Sequence, residues 1–158
     1  MENKLNWHDK SYYEYIEKEM SDLSKLTTTI LRVHGPEHNE LYKVHRLFHI
    51  VQINLVQQSI REKMDIVPTV KMYNRKPSKE FLDKILEASN ELAPMKKETV
   101  ELLNELRKVT DGYVAPEDGC ATYDTTYEKL SDFESTILEH YELERKNFIP
   151  RIADEINK

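Results

Sequence analysis

Apolar residues recur every three or four positions along nearly the whole chain, the spacing of one face of an α-helix. Four such stretches stand out. Tyr13, Ile16, Met20, Leu23, Thr27 and Ile30 predict a first helix from about Asp9 to Val33. His34-Gly35-Pro36 then reads as a tight joint, with Gly35 as helix cap and Pro36 in the first turn of the next helix. Leu41, Val44, Phe48, Val51 and Leu55 predict a second helix from about Pro36 to Met64. The residues from about Asp65 to Pro77 carry Pro68, Asn74 and Pro77 and read as a long connection. Ser78 suits an N-cap, and Leu82, Ile85, Ser89, Leu92, Val100 and Leu103 predict a third helix from about Lys79 to Thr110, kinked at Pro94. Gly112 ends it, and a loop runs from Asp111 to Gly119. Tyr123, Tyr127, Leu130, Phe133, Ile137, Tyr141 and Phe148 predict a fourth helix from about Cys120 to Ile156. The expected architecture is all-α: one up-down-up-down four-helix bundle over residues 1–158, with no internal repeat.

Composition narrows the function classes. At 158 residues with three glycines, the chain suits a single helical domain with one core. A net charge of −6 argues against nucleic acid or an anionic membrane as the main partner. One cysteine leaves no intramolecular disulfide and suits a reducing, cytoplasmic setting. The start, Met1-Glu2-Asn3-Lys4 into Trp7-His8-Asp9, has no apolar run of a secretory signal.

The informative places are those where polar residues break the stripes. On helix two the buried face continues through Gln58 and Glu62. On helix three Lys96 lies near the middle of the stripe. On helix four, Glu144 falls inside the stripe and His140 at its edge, counting about 100° per residue. His140-x-x-x-Glu144 puts an imidazole and a carboxylate on one face, one turn apart, as helical bundles offer ligands to iron or zinc. A carboxylate in such a place must be paired, protonated or metal-bound.

The run Leu102-Leu103-x-x-Leu106-Arg107-x-x-Thr110-x-x-Tyr113-x-x-Pro116-x-x-x-Cys120-x-x-Tyr123, with Phe133-Glu134 and His140-x-x-x-Glu144-x-x-x-Phe148-x-Pro150, resembles the C-terminal half of the RIC (repair of iron centres) proteins. Val33-His34-Gly35-Pro36-x-His38 is similar to another segment of that family. The resemblance spans about residues 10–152. It implies a hemerythrin-like bundle, a di-iron cofactor, and a role in repairing iron–sulfur clusters under nitrosative or oxidative stress. It further implies one histidine from each helix and two carboxylates, each four residues after a histidine on helices two and four. The sequence in hand does not include the short cysteine-bearing N-terminal domain common in the family.

Carried over position by position, helix four matches with His140 and Glu144. Helix two keeps Glu62 but has Gln58 at the histidine position. Helix three has Lys96 where a histidine is expected. Helix one has Tyr13 there, or Ser21 if an eight-residue deletion is allowed, and His8 lies five residues too early. A protonated amine has no lone pair for a metal. Lys96 is therefore expected to form a buried network with Glu62 and Glu144, with Tyr13, Gln58 and His140 completing it. The alternatives are a Lys96 that reaches solvent past Pro94, or one metal ion, iron, held by Glu62, His140 and Glu144 with help from Tyr13.

Two readings of function follow: an iron-handling protein of cluster repair, mono- or dinuclear, or a metal-free, non-enzymatic bundle that binds a protein partner or senses. No catalytic residue is assigned, and the oligomeric state is open. Outside this centre, His38, His45 and His49 share one side of helix two; His45 and His49 offer a metal or haem site, or pack at a helix boundary. Cys120, near a helix N-terminus, is either a reactive thiol or a small buried residue.

Overall fold

The computed structural model describes Leu5 and residues 10–158. It is an all-α bundle: α1 (Lys10–His34), α2 (Glu40–Arg61), α3 (Val67–Arg75), α4 (Lys79–Val109), α5 (Ala121–Leu143) and α6 (Ile149–Ile156). Two π-turns, Glu62–Ile66 and Glu144–Phe148, weld α2 to α3 and α5 to α6, so the four long units of the sequence pattern survive. Asp9, the expected start of the first helix, and His8 lie outside the described residues. Among the described residues no helix is long and apolar enough to cross a membrane.

Three boundaries differ from expectation. The stretch 65–77 is helical as far as Arg75 and not a long connection. Pro68 explains how: its ring nitrogen cannot donate to Met64, and its ring would clash with that carbonyl in a regular α-helix. Adding one residue to the turn relieves both problems, and Val67 N–H bonds to the Glu62 carbonyl five residues back. The same device recurs at Pro150, where Ile149 N–H bonds to Glu144. Glu62-Lys63-Met64-Asp65-Ile66-Val67-Pro68 and Glu144-Arg145-Lys146-Asn147-Phe148-Ile149-Pro150 thus form a matched pair of segments, an internal correspondence that apolar periodicity passes over.

The second difference is at Pro36, which lies in the turn between α1 and α2, not in α2. Gly35 is required there by close approach: a Cβ would stand 2.3 Å from the Leu31 carbonyl oxygen. The third is the end of α4. Gly112 N–H bonds to Arg107 O and Asp111 N–H to Lys108 O, the pairing of a Schellman motif. Its left-handed residue is therefore Asp111 (φ 57°), one position before the glycine.

Two apolar clusters fill the bundle. The larger joins α1, α2, the C-terminal half of α4 and α5 around Leu23, Phe48, Leu103, Tyr123 and Phe133. The smaller joins α3, the N-terminal half of α4, α6 and Leu5 around Ile66, Ile85 and Ile152. Stripe residues of α1, α2 and α5 are buried nearly as the pattern predicts. Beyond Pro94 the buried face of α4 passes through Thr99 and Leu103, and Val100 is only partly buried. Between the clusters lies a polar layer.

Because the nearest atom to a Gly35 Cβ is the Leu31 backbone oxygen, which cannot swing away as a side chain can, Gly35→Ala should cost about 1–3 kcal/mol. Urea unfolding measures it; a change within about 0.5 kcal/mol would show that the joint relaxes freely.

Candidate functional site: a buried carboxylate–lysine layer

The layer is assembled from all four long units. Tyr13 comes from α1, Gln58 and Glu62 from α2 and its π-turn, Lys96 and Thr99 from α4, and His140, Tyr141 and Glu144 from α5 and its π-turn. Glu62 and Glu144 are 4% and 9% exposed, so water cannot solvate their charge. Lys96 supplies what water does not. Its Nζ donates to Glu144 Oε2 at 2.5 Å and lies 3.3 Å from Glu62 Oε1. The Tyr13 hydroxyl donates to the other Glu62 oxygen, Oε2. Lys96 does not escape past Pro94: α4 runs unbroken through Pro94, and the ammonium points inward with its side chain 16% exposed.

Gln58 does not touch the carboxylates. It bridges within the layer: Tyr141 O–H donates to Gln58 Oε1 at 2.6 Å, Gln58 Nε2 donates to Thr99 Oγ1 at 3.1 Å, and Thr99 donates to Met95 O at 2.9 Å. Thr99 is a member that the sequence pattern missed, because it is polar and its neighbour Val100 is the apolar residue of that turn. Tyr12 is another. Its ring stacks on His140 with centroids 3.6 Å apart and planes 7° from parallel. Burial first, then the neighbouring Tyr141 and carboxylates, holds the Tyr12 hydroxyl well above the usual phenol range.

His140 Nε2 stands 2.7 Å from Glu144 Oε1, yet neither atom has an aligned hydrogen-bond partner. We read the contact as electrostatic attraction at an angle that misses the hydrogen-bond direction. A cavity of about 20 Å³, lined by Tyr12, Tyr13, Gln58, Glu62 and His140 among others, adjoins these groups. That is room for one water molecule.

The two carboxylates diverge electrostatically. Burial pushes Glu62 above its ordinary range, and Glu144 adds to this while Lys96 opposes it. For Glu144, burial also pushes upward, but the His140 contact and the Lys96 charge outweigh it and leave its pKa lowered. The signs follow from linkage. Glu144 contributes stability above its unfolded value that is lost as pH falls through the lowered one. Glu62, once ionised above its raised value, opposes folding. Lys96 holds the pair together.

Whether these residues fit a di-iron centre can be judged from the donors. Two carboxylates and one imidazole converge, against the four imidazoles and two carboxylates that the family resemblance implies. The place between the carboxylates is taken by an ammonium, which has no lone pair and repels cations. Among the described residues no three His, Cys, Asp or Glu side chains are grouped so as to hold a metal ion. The set does not fit two irons.

Outside the layer, His45 and His49 lie at the α1–α2 boundary. His49 Nδ1 is 2.7 Å from His45 O and its Nε2 is 3.2 Å from Ser24 Oγ, while His45 Nε2 is 3.1 Å from Thr28 Oγ1. His38 stands between Asp118 at 3.1 Å and Glu40 at 3.4 Å. Cys120 is exposed, not buried. Its Sγ is 3.1 Å from His34 Nε2, and that contact, with backbone N–H groups of the α5 N-terminus, lowers its pKa to about 7. Two further buried acids went unnoticed in the sequence: Glu134, forked by Arg107 at 2.5 and 3.3 Å, and Glu19, met by Lys129 at 3.3 Å.

Comparison with known proteins places this geometry in context. No family model matches the chain. It is similar to the iron-sulfur cluster repair protein ScdA of two strains of Staphylococcus epidermidis, 24% identical over 153 residues, or 97% of this chain and 67% of the relative. It is also similar to the iron-sulfur cluster repair protein ScdA of Staphylococcus haemolyticus, 26% identical over 140 residues, or 89% of this chain and 62% of the relative. The chain therefore spans about two thirds of the length of the curated relatives it matches.

Removing the cation tests the layer. Lys96→Met should strand two buried carboxylates and destabilise the fold by about 3–5 kcal/mol at pH 7. The loss should shrink as pH falls through the carboxylate range, since protonation removes the stranded charge. Urea unfolding of both proteins at pH 7 and pH 5 measures this; a neutral substitution at pH 7 would place Lys96 in solvent.

Proposed function

We propose that this chain is a hemerythrin-like bundle from the setting of iron–sulfur cluster repair whose centre works without metal, as a module that binds a protein partner or senses stress. The observation that carries the reading is the position of Lys96 Nζ, 2.5 Å from Glu144 and 3.3 Å from Glu62. An internal cation satisfies the two acids that a metal would otherwise satisfy, and it remains when no metal is supplied. Similarity to ScdA proteins over most of the chain supports the biological setting. It does not carry the chemistry with it, because Tyr13, Gln58 and Lys96 stand at three positions where the resemblance implies histidines.

On this reading the layer is a rigid polar plate between two apolar clusters. Tyr13 and Lys96 hold Glu62 from opposite sides, and His140 and Lys96 hold Glu144. Such a network favours one arrangement of four helices over slipped alternatives. Any recognition would then be performed by the outer surface.

One observation favours a second reading. His140 Nε2 and Glu144 Oε1 face each other without an aligned hydrogen bond, beside a small cavity that Glu62 also lines. Glu62, His140 and Glu144, with Tyr13, are the residues that would hold a single iron if Lys96 swung away. The iron would supply redox or Lewis-acid chemistry there.

The two readings separate on iron loading. Protein incubated anaerobically with ferrous iron, desalted and exposed to air should retain under about 0.1 iron per chain and show no oxo-bridged ferric bands, given the weak ligand set. About one iron per chain, lost in His140→Ala, would favour the second reading. Two per chain with oxo-bridged bands would overturn the first.

A further inference from the structure

α4 and α5 touch least among the packed helix pairs, and a slot of about 350 Å³ opens between α4 and the run from Tyr141 at the end of α5 through the π-turn to Ile149 at the start of α6. One wall is the α4 face Ser89, Ala93, Lys97 and Val100; the other is Tyr141, Arg145 and Ile149; the Lys96–Glu144 pair closes its floor. Three features set it apart from ordinary surface. First, its exposed lining is predominantly apolar, contributed by Ala93, Val100, Tyr141, Ile149 and lysine stems. Second, its charged groups are Lys96, Lys97 and Arg145 against the single carboxylate of Glu144, on a chain whose net charge is −6. Lys96 is committed to Glu62 and Glu144, and Arg145 to Glu142. Lys97 is exposed and forms no ion pair among the described residues. Third, Ser89 at the far end is 7% exposed, and its hydroxyl has no hydrogen-bond partner. A buried hydroxyl left unpaired costs free energy that a bound polar group would recover.

We propose that this slot binds a small amphipathic acid: an apolar chain with a carboxylate at one end and a hydrogen-bonding group at the other. The carboxylate would sit at Lys97, the chain along Ala93 and Ile149, and the polar tip at Ser89. Eight residues separate Lys97 from Ser89, about 12 Å along the helix, which sets the length of the chain. The volume lies at the small end of ligand pockets and suits one such molecule. The inference goes beyond the function proposed above and does not depend on it: the slot shares Lys96, Tyr141 and Glu144 with the buried layer, but its two polar ends, Lys97 and Ser89, lie outside that layer.

Isothermal titration of the full chain with 10-hydroxydecanoate, decanoate and decyltrimethylammonium tests it, with ¹H–¹⁵N NMR to locate the shifts. The hydroxy acid should bind one to one, decanoate more weakly and the cation not at all. Lys97→Glu should weaken the hydroxy acid about tenfold, and Ala93→Trp, which fills the slot from an exposed position, should abolish binding while circular dichroism stays unchanged. Ser89→Ala should erase the preference for the hydroxyl. Absence of saturable binding to the unmodified chain overturns the proposal, as does equal binding by Ala93→Trp or equal affinity for the cation. A hydroxyl preference that survives Ser89→Ala overturns the assignment of the far end.

Discussion

Glu62 and Glu144 are carboxylates almost wholly removed from solvent, and Lys96 brings a positive charge between them. Isolated, each would cost several kcal/mol or stay protonated. Paired through one ammonium, they become the cross-link of three units: α2, α4 and α5. Tyr13 adds α1 through the second oxygen of Glu62. Every other feature of the layer is arranged around that contact. Gln58 turns away to Tyr141 and Thr99, and His140 is sandwiched between the Tyr12 ring and Glu144.

The backbone prepares the same place. Each glutamate opens a π-turn, and each π-turn precedes a proline that a regular helix would not accept. The wider turn lets α2 and α5 continue as α3 and α6, which pack with the start of α4 into a second apolar cluster. The polar layer is thereby enclosed from both sides. A lysine reaching such a layer from α4 needs no break in its own helix, and Pro94 leaves α4 continuous.

The fold was largely legible because three of the four helices carry an apolar stripe strong enough to set their phase. The buried polar positions Gln58, Glu62, Lys96, His140 and Glu144 were legible for the same reason: each interrupts a stripe. What stayed hidden has identifiable causes. Helix was not expected across residues 65–77 because Pro68 normally signals a break, and a π-turn absorbs it. Thr99 escaped because it is polar and Val100, next to it, is the apolar residue of that turn. Tyr12 sits beside the stripe and is buried through its stack on His140, a contact between units that spacing within one helix cannot reveal. Glu134 and Glu19 are acids whose burial follows from the partners Arg107 and Lys129 on neighbouring helices, which no spacing within one helix reveals. Cys120 at the α5 N-terminus faces outward, and its pairing with His34 joins the end of α1 to the start of α5, a contact that spacing within one helix cannot reveal.

Similarity to cluster repair proteins and a layer unsuited to two irons are compatible if scaffold and chemistry have separated. The scaffold's demand is charge balance at Glu62 and Glu144, and an ammonium meets it as a cation would. The most direct test is a crystal structure grown with ferrous iron, with anomalous differences measured at the iron edge. The account predicts ordered Lys96 Nζ within hydrogen-bond reach of both carboxylates and no anomalous peak there; a peak bridging Glu62 and Glu144, with Lys96 turned to solvent, would contradict it.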